Sequence, residues 1–173
     1  SDPIDTSRFF AHFKDRKQLL IIQLNRDFRS RLYYNDVVKY DVSQKYFVYI
    51  NGQGEVKCLE RGDGTPHKIE GSDIDDLLNN SFDHSEIESI LPFVDNNCVY
   101  LLNIEKKYVK RFLINGKKGF EIPQIDNVVN IWSTDGVVIQ TRVDDHYFIH
   151  VQNMKFKTEK KQRIYAAALH KNL

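Results

Sequence analysis

Residues 46–74 read YFVYINGQGEVKCLERGDGTPHKIEGSDI, and the fold expectation turns on them. Tyr46 to Ile50 is a run of β-branched and aromatic residues, which fits a pleated, largely buried strand. Asn51-Gly52-Gln53-Gly54 then supplies residues that accept positive φ, as a tight hairpin needs. Glu55 to Glu60 alternates, with Val56, Cys58 and Glu60 on one side. Gly62-Asp63-Gly64 is a second turn, and His67 to Ile69 reads as a short closing strand. Ser72 has the position of an N-cap, with Asp73, Asp75 and Asp76 in a first turn where the helix dipole favours anions. Ile74, Leu77 and Leu78 would face inward. Ile87, Ile90, Leu91 and Val94 continue helical spacing. The pattern predicts helix, break, helix over residues 73–93, with Pro92 near the end.

The same reading extends outward from that stretch. Upstream, LLIIQL (19–24) reads as a strand buried on both faces, followed by strands at 30–34 and 37–42. Downstream, CVYLLNI (98–104) and YVKRFLI (108–114) read as a hairpin, then Asn115-Gly116 as a turn and 120–122 as a short strand. VVNIW (128–132), VVIQTRV (137–143) and YFIHV (147–151) follow, with Asp135-Gly136 and Asp144-Asp145 as turns. Thr158 is positioned to cap a final helix over Glu159–Leu173, whose apolar face holds Ile164, Ala168 and Leu169. The expected fold is therefore α+β and β-dominated: two consecutive units of a six-stranded antiparallel sheet capped by a C-terminal helix. The expected units are 1–96, with an N-terminal helical extension, and 97–173, joined at Asp95-Asn96-Asn97.

Composition narrows the function classes. With 173 residues, 41% of them hydrophobic, there is material for a core in one ordinary domain or two very small ones. No apolar run reaches the length of a membrane-spanning helix. Ser1-Asp2-Pro3 has no apolar h-region and reads as a cut boundary rather than a targeting signal. Cys58 and Cys98, 40 residues apart and both in expected strands, read as reduced thiols of an intracellular protein, with a bridge between them as the alternative. Chemistry-bearing motifs are missing: no CxxC, HExxH or GxSxG occurs. His146 and His150 are four apart in a strand pattern, about 13 Å along one face, too far for one metal ion. Gly52, Gly54, Gly62 and Gly64 lack the Lys-Ser/Thr and the helix that follow a phosphate-cradling loop. No catalytic residue, metal or cofactor is expected.

Charge is unevenly distributed although the net formal charge is only +1. Residues 69–105 contain no Lys or Arg, while Glu70, Asp73, Asp75, Asp76, Asp83, Glu86, Glu88 and Asp95 accumulate. Lys106, Lys107, Lys110, Arg111, Lys117 and Lys118 follow at once and form the first candidate partner-binding patch. Lys155, Lys157, Lys160, Lys161 and Arg163 form a second. A third runs through Lys14, Arg16, Lys17, Arg26, Arg29 and Arg31. If two of these groups converge in space, they make a surface for an acidic partner. Basic residues interleaved with Tyr108, Phe112 and Phe120 would also suit single-stranded nucleic acid, but strand spacing puts those aromatics on a core face, and the low net charge argues against bulk nucleic-acid affinity.

The two-unit plan resembles a tandem of polo boxes. Residues 46–74 look like a polo-box strand series, with Asp63-Gly64-Thr65-Pro66-His67 standing near a family stretch, and residues 128–151 share the placing of a Trp before a hairpin pair. With almost no linker, the arrangement is similar to the cryptic polo-box region of the polo-like kinases that control centriole duplication. That resemblance implies a non-catalytic targeting region of a serine/threonine kinase, a homodimer that binds an acidic segment of a centriolar scaffold protein through a basic surface, in the cytoplasm at the centrosome. His67-Lys68 are adjacent and do not reproduce the phosphopeptide-reading His and Lys of the mitotic relative. Two further resemblances stand beside it. The second half is similar to a pleckstrin-homology domain, which implies an anionic lipid head group and a membrane surface. The apolar rhythm near residues 37, 90 and 128 resembles β-propeller blades, although the chain is short for closure and the expected helices do not fit.

Overall fold

The computed structural model describes residues 2, 4, 8–23, 29–61, 66–115, 118–133, 136–152 and 154–158. Fifteen strands, one short α-helix and two 3-10 turns make up these residues. The strands pair only with their sequence neighbours, in antiparallel register, and form four successive sheets. The first holds β1 (Arg8–Phe13), β2 (Gln18–Gln23) and β3 (Arg29–Tyr34). The second holds β4 (Lys39–Val42), β5 (Tyr46–Ile50), β6 (Val56–Arg61) and β7 (Pro66–Lys68). The third runs through β8 (Ile90–Val94), β9 (Cys98–Asn103), β10 (Tyr108–Asn115) and β11 (Lys118–Ile125). The fourth is β12 (Val128–Ser133), β13 (Val137–Val143), β14 (His146–Val151) and β15 (Met154–Thr158).

This arrangement overturns the expected pair of six-stranded units, each capped by a helix. The strands were grouped wrongly because a meander has no internal sign of where one sheet ends: each strand pairs locally whichever sheet it joins. The expected boundary at 96/97 lies in the turn between β8 and β9, inside the third sheet. There Asp95 accepts hydrogen bonds from the backbone N–H groups of Asn97 and Cys98 at 2.8 and 2.7 Å and from the Tyr100 hydroxyl at 2.7 Å.

Three helical expectations change as well. The N-terminal helical extension is strand β1, paired residue for residue with β2 from Arg8↔Gln23 to Phe13↔Gln18; a Phe-rich segment beside LLIIQ gains more from cross-strand packing than from a short solvated helix. The helix expected over 73–93 shrinks to α1 (Ile74–Asn79) and a 3-10 turn, His84–Ser89, capped reciprocally by Asp83 and Glu86. Residues 90–94 are a strand, with Ile90, Pro92 and Val94 turned inward. Ile90, Leu91 and Val94 satisfy both periods, and Pro92 is accommodated because β8 lies at the edge of its sheet. Thr158, expected to cap a helix, ends β15 and donates its hydroxyl to the Tyr147 carbonyl at 3.2 Å. The helix expected at Glu159–Leu173 and the Gly62–Thr65 turn lie outside the described residues.

The sheets stack face to face, with a core in each interface. Leu19, Val37 and Phe47 fill the first, with Phe10, Tyr34, Tyr40 and Tyr49 around them. Val48, Ile50, Val56 and Cys58 of the second sheet meet Ile90, Val94, Val99, Leu101, Phe112 and Ile114 of the third, roofed by Ile74 and Leu78 of α1. Tyr100, Leu102 and Val109 meet Val128, Val137 and Ile139 between the third and fourth. Alternation lets one strand serve two cores: Val99 and Leu101 point one way from β9, and Cys98, Tyr100 and Leu102 the other. All six β9 residues are buried, which explains the unbroken apolar run CVYLL. Each such Leu or Val contributes about 1.5–3 kcal/mol of burial.

The first strands of the last three sheets converge. Asp41 on β4 accepts from the Val94 backbone N–H on β8 at 2.8 Å and from the Ser133 hydroxyl at the end of β12 at 2.7 Å. Lys39, two residues earlier, donates to the carbonyls of Glu88 and Ile90 at 2.8 and 2.7 Å. Four-stranded meanders packed face to face, with their first strands drawn together, are the blade arrangement of a β-propeller. The rhythm noted near residues 37, 90 and 128 marks the first strand of each four-stranded sheet, and the helix expected across residue 90 gives way to a strand at 90–94.

Candidate functional site

A cleft of about 510 Å³ opens between the third and fourth sheets. Its floor comes from β10 and β11 on one side and from β13, β14 and the β14–β15 turn on the other. Arg111 projects into it from β10. Its guanidinium donates from Nε and Nη2 to the Pro123 carbonyl at 3.0 and 2.6 Å and from Nη1 to the Gln152 carbonyl at 3.3 Å. The side chain thus clasps the two sheets. Those bonds use three of the five N–H donors of a guanidinium. β11 allows the contact because its ladder with β10 shifts register between Val109↔Ile125 and Arg111↔Ile122, which leaves the Pro123 carbonyl for the arginine.

Lys155 enters the same cleft from β15, with Nζ 4.3 Å from the centre of the Phe148 ring. Between the two cations lies His150, whose Nε2 is 2.9 Å from the Thr141 hydroxyl. Burial, then Lys155 and Arg111, hold this imidazole below its ordinary pKa, so it is neutral at pH 7. Among the described residues Asp126 is the one carboxylate lining the cleft, and it accepts from the Gln124 amide at 2.6 Å. Two cations against one carboxylate leave the cleft net positive, and Val143 and Met154 give its rim apolar surface at 44% and 47% exposure.

The expected basic residues therefore divide. Arg111 from the first patch and Lys155 from the second meet in one cleft, as two converging groups would. The other described residues of the first patch do not line the cleft. Lys106 pairs with Glu86, which holds the carboxyl below its usual range through a hydrogen bond from the ammonium. Lys110 lies 3.8 Å from Glu121 on the neighbouring strand. Lys107 sits exposed in the β9–β10 turn with φ of 57°, its N–H bonded to the Asn103 carbonyl at 2.9 Å. Lys118 is exposed at the start of β11. Lys157 is exposed on β15, whereas Lys117, Lys160, Lys161 and Arg163 lie outside the described residues.

Sequence spacing weighs His150 only as a metal ligand, and gives no signal for Gln152; only the register that sets β14 against β13 and β15 brings them to Arg111. Cys58 and Cys98 are free and buried, and burial pushes the Cys98 thiol up to about 11. Among the described residues no group of three or more His, Cys, Asp or Glu could hold a metal ion, and no helix is long and apolar enough to cross a membrane.

No family model matches the chain, and no curated protein matches it. Among solved structures it is similar to the N-terminal domain of Nup159, with 11% identity and a TM-score of 0.41, over 88% of this chain and 45% of that one. It is also similar to a chain of an S. cerevisiae assembly of Dbp5 bound to Nup159, Gle1, IP6 and ADP, with 9% identity and a TM-score of 0.43, over 91% of this chain and 44% of that one. The chain spans less than half the length of either. The blade assignment rests on the strand order of the chain itself.

Proposed function

We propose that this chain is a non-catalytic, blade-built binding module that takes an acidic segment of a partner protein in the cleft between its third and fourth sheets. The observation that carries the reading is the meeting of Arg111 and Lys155, from two different sheets, at one open cleft. A cation held by carbonyls keeps its full charge, because carbonyls supply no compensating carboxylate. Clustered cations of this kind steer an anionic segment and fix its register, while each exposed pair alone contributes little. The apolar rim adds contact area for side chains between the acids.

The kinase, centriole and scaffold parts of the polo-box resemblance depended on paired six-stranded units and are not carried into this reading. Calorimetry with a ten-residue peptide rich in Asp and Glu tests the proposal. Binding should weaken as salt rises, since screening shortens from about 8 Å at 0.15 M to about 3 Å at 1 M. Changing Arg111→Ala and Lys155→Ala together should lower the affinity at least about tenfold. Binding that ignores both substitutions overturns the proposal. Capture by anionic lipid vesicles in place of peptide would assign the cleft to a membrane surface instead.

A further inference from the structure

The cleft borders β15, and among the described residues β15 is an edge strand that pairs with β14 alone. Its register reads Val151↔Met154, His150↔Lys155, Ile149↔Phe156, Phe148↔Lys157 and Tyr147↔Thr158. The two-residue turn at 144–145 in the preceding hairpin closes on Val143↔His146, and such a turn closes on a hydrogen-bonded pair. Pairs then alternate, so His146, Phe148 and His150 bond to β13 and leave Tyr147, Ile149 and Val151 for β15. Their partners Thr158, Phe156 and Met154 therefore bond inward to β14, and the N–H and C=O groups of Lys155 and Lys157 face the open edge.

Side chains alternate along the same strand. Lys155 and Lys157 lie on the face of His150, while Met154 and Phe156, 47% and 39% exposed, lie on the opposite face, Met154 where the strand starts at the rim of the cleft. The edge thus carries two open backbone bonding sites, two cations on one face and two apolar side chains on the other. An added strand meets each feature with its own period of two: acidic residues against Lys155 and Lys157, apolar ones against Met154 and Phe156.

We infer that the acidic partner segment binds as an added β-strand along β15, with acidic and apolar residues alternating, so that main-chain hydrogen bonds supply affinity and the lysines supply selectivity. This rests on the reading of the cleft as an acidic-segment site and specifies how that segment is held. Lysines on an edge also deter pairing with a neutral strand; opposite an acidic strand the same lysines become favourable cross-strand partners. The edge is therefore selective by charge.

The test uses the chain with four peptides of ten residues. The first alternates Glu and Val. The second has the same composition arranged in blocks. The third and fourth are the alternating peptide N-methylated at every Glu or at every Val. Strand addition predicts that the alternating peptide binds at least about tenfold tighter than the blocked one. It predicts that one N-methylated peptide loses at least about tenfold while the other does not, since only alternate amides of an added strand face β15. Which one loses reports whether the strand runs antiparallel or parallel. Amide exchange at Lys155 and Lys157 should slow on binding. Equal affinity of alternating and blocked peptides, or an equal response to the two N-methylation patterns, overturns strand addition; if that binding still falls with Arg111→Ala and Lys155→Ala, the cleft reading stands without it. Absence of binding by all four peptides overturns both.

Discussion

The seam between the first and second sheets is sealed, whereas the seam between the third and fourth is left open, and each is crossed by an arginine. Arg61, at the end of β6, has no exposed side-chain surface. It donates to the Asp2 carboxylate and to the Ser43 carbonyl, both at 2.6 Å, and lies 5.5 Å from the centre of the Phe10 ring. Around it Tyr34, Tyr40, Phe47 and Tyr49 pack as a chain of tilted rings 5.3 to 6.2 Å apart. Arg111 makes a comparable set of bonds to carbonyls, but beside a solvent-filled cleft and without a carboxylate partner among the described residues. The difference assigns roles. A buried arginine with its own anion is consumed by the fold; one that is held only by carbonyls keeps an unneutralised charge where a ligand can reach it.

The sealed seam gives the largest expected effect. Replacing Arg61→Ala leaves the wholly buried Asp2 carboxylate with only the Ile4 N–H at 2.9 Å and the longer contact to Arg8 at 3.7 Å among the described residues, and should cost about 3–5 kcal/mol in denaturant unfolding. The paired change Asp2→Leu with Arg61→Met removes both charges and should recover most of that loss, because the desolvation of two ions disappears with them. Arg61 Nε has no partner among the described residues, so part of the desolvation is uncompensated already. If Arg61→Ala costs no more than Arg111→Ala, the contrast between a sealed and an open seam fails.

Between those extremes lies the point where three first strands meet. Burial, only partly opposed by the hydrogen bonds from Ser133, Val94 and Val42, raises the Asp41 carboxyl to about 6. The folded value lies above the unfolded one, so the native state binds the proton more tightly. Stability from this group is therefore present below about pH 4 and is lost as pH rises through about 6. The nearby Asp95 acts in the same direction, as a like charge. The stability of the chain relative to Asp41→Asn should fall by about 2–3 kcal/mol between pH 4 and pH 7, read from paired urea melts. Asn keeps an acceptor for Val94 and Ser133 without a charge, so a difference independent of pH would show that Asp41 is not enclosed by the three strands.

The sequence made most strands legible and their grouping illegible. Runs such as YFVYI and CVYLLN identify themselves by alternating or continuous burial, yet nothing local says that Val94 and Cys98 share a sheet while Ile125 and Val128 do not. The segment at 90–94 misleads because Ile90, Leu91 and Val94 fit a helical face as well as a strand. The site was half legible for a similar reason. Basic residues can be counted along a chain, but their partners cannot: Glu86 reaches Lys106 across 20 positions, and Gln152 reaches Arg111 across 41. The apolar stretches near 37, 90 and 128 mark the starts of the three four-stranded sheets, and they lose weight in the sequence because the chain is short for closure and a helix is expected across one of them.

The smallest expected effect separates counted charge from available charge. Lys106 is 62% exposed and pairs with Glu86, itself anchored by the Asp83 cap and reached by the Tyr108 hydroxyl at 3.4 Å. An exposed pair of this kind is screened by solvent, and its ammonium is already matched by a carboxylate. Lys106→Ala should leave the unfolding midpoint unchanged within error and leave acidic-peptide affinity unchanged as well, although Lys106 opens the densest basic run in the chain. Arg111→Ala, five residues on, should weaken the same peptide and make its salt dependence shallower. If Lys106→Ala instead weakens the peptide as much as Arg111→Ala, then the ligand reads the β9–β10 turn, the pair with Glu86 opens on binding, and the cleft between the third and fourth sheets is not where the partner lies.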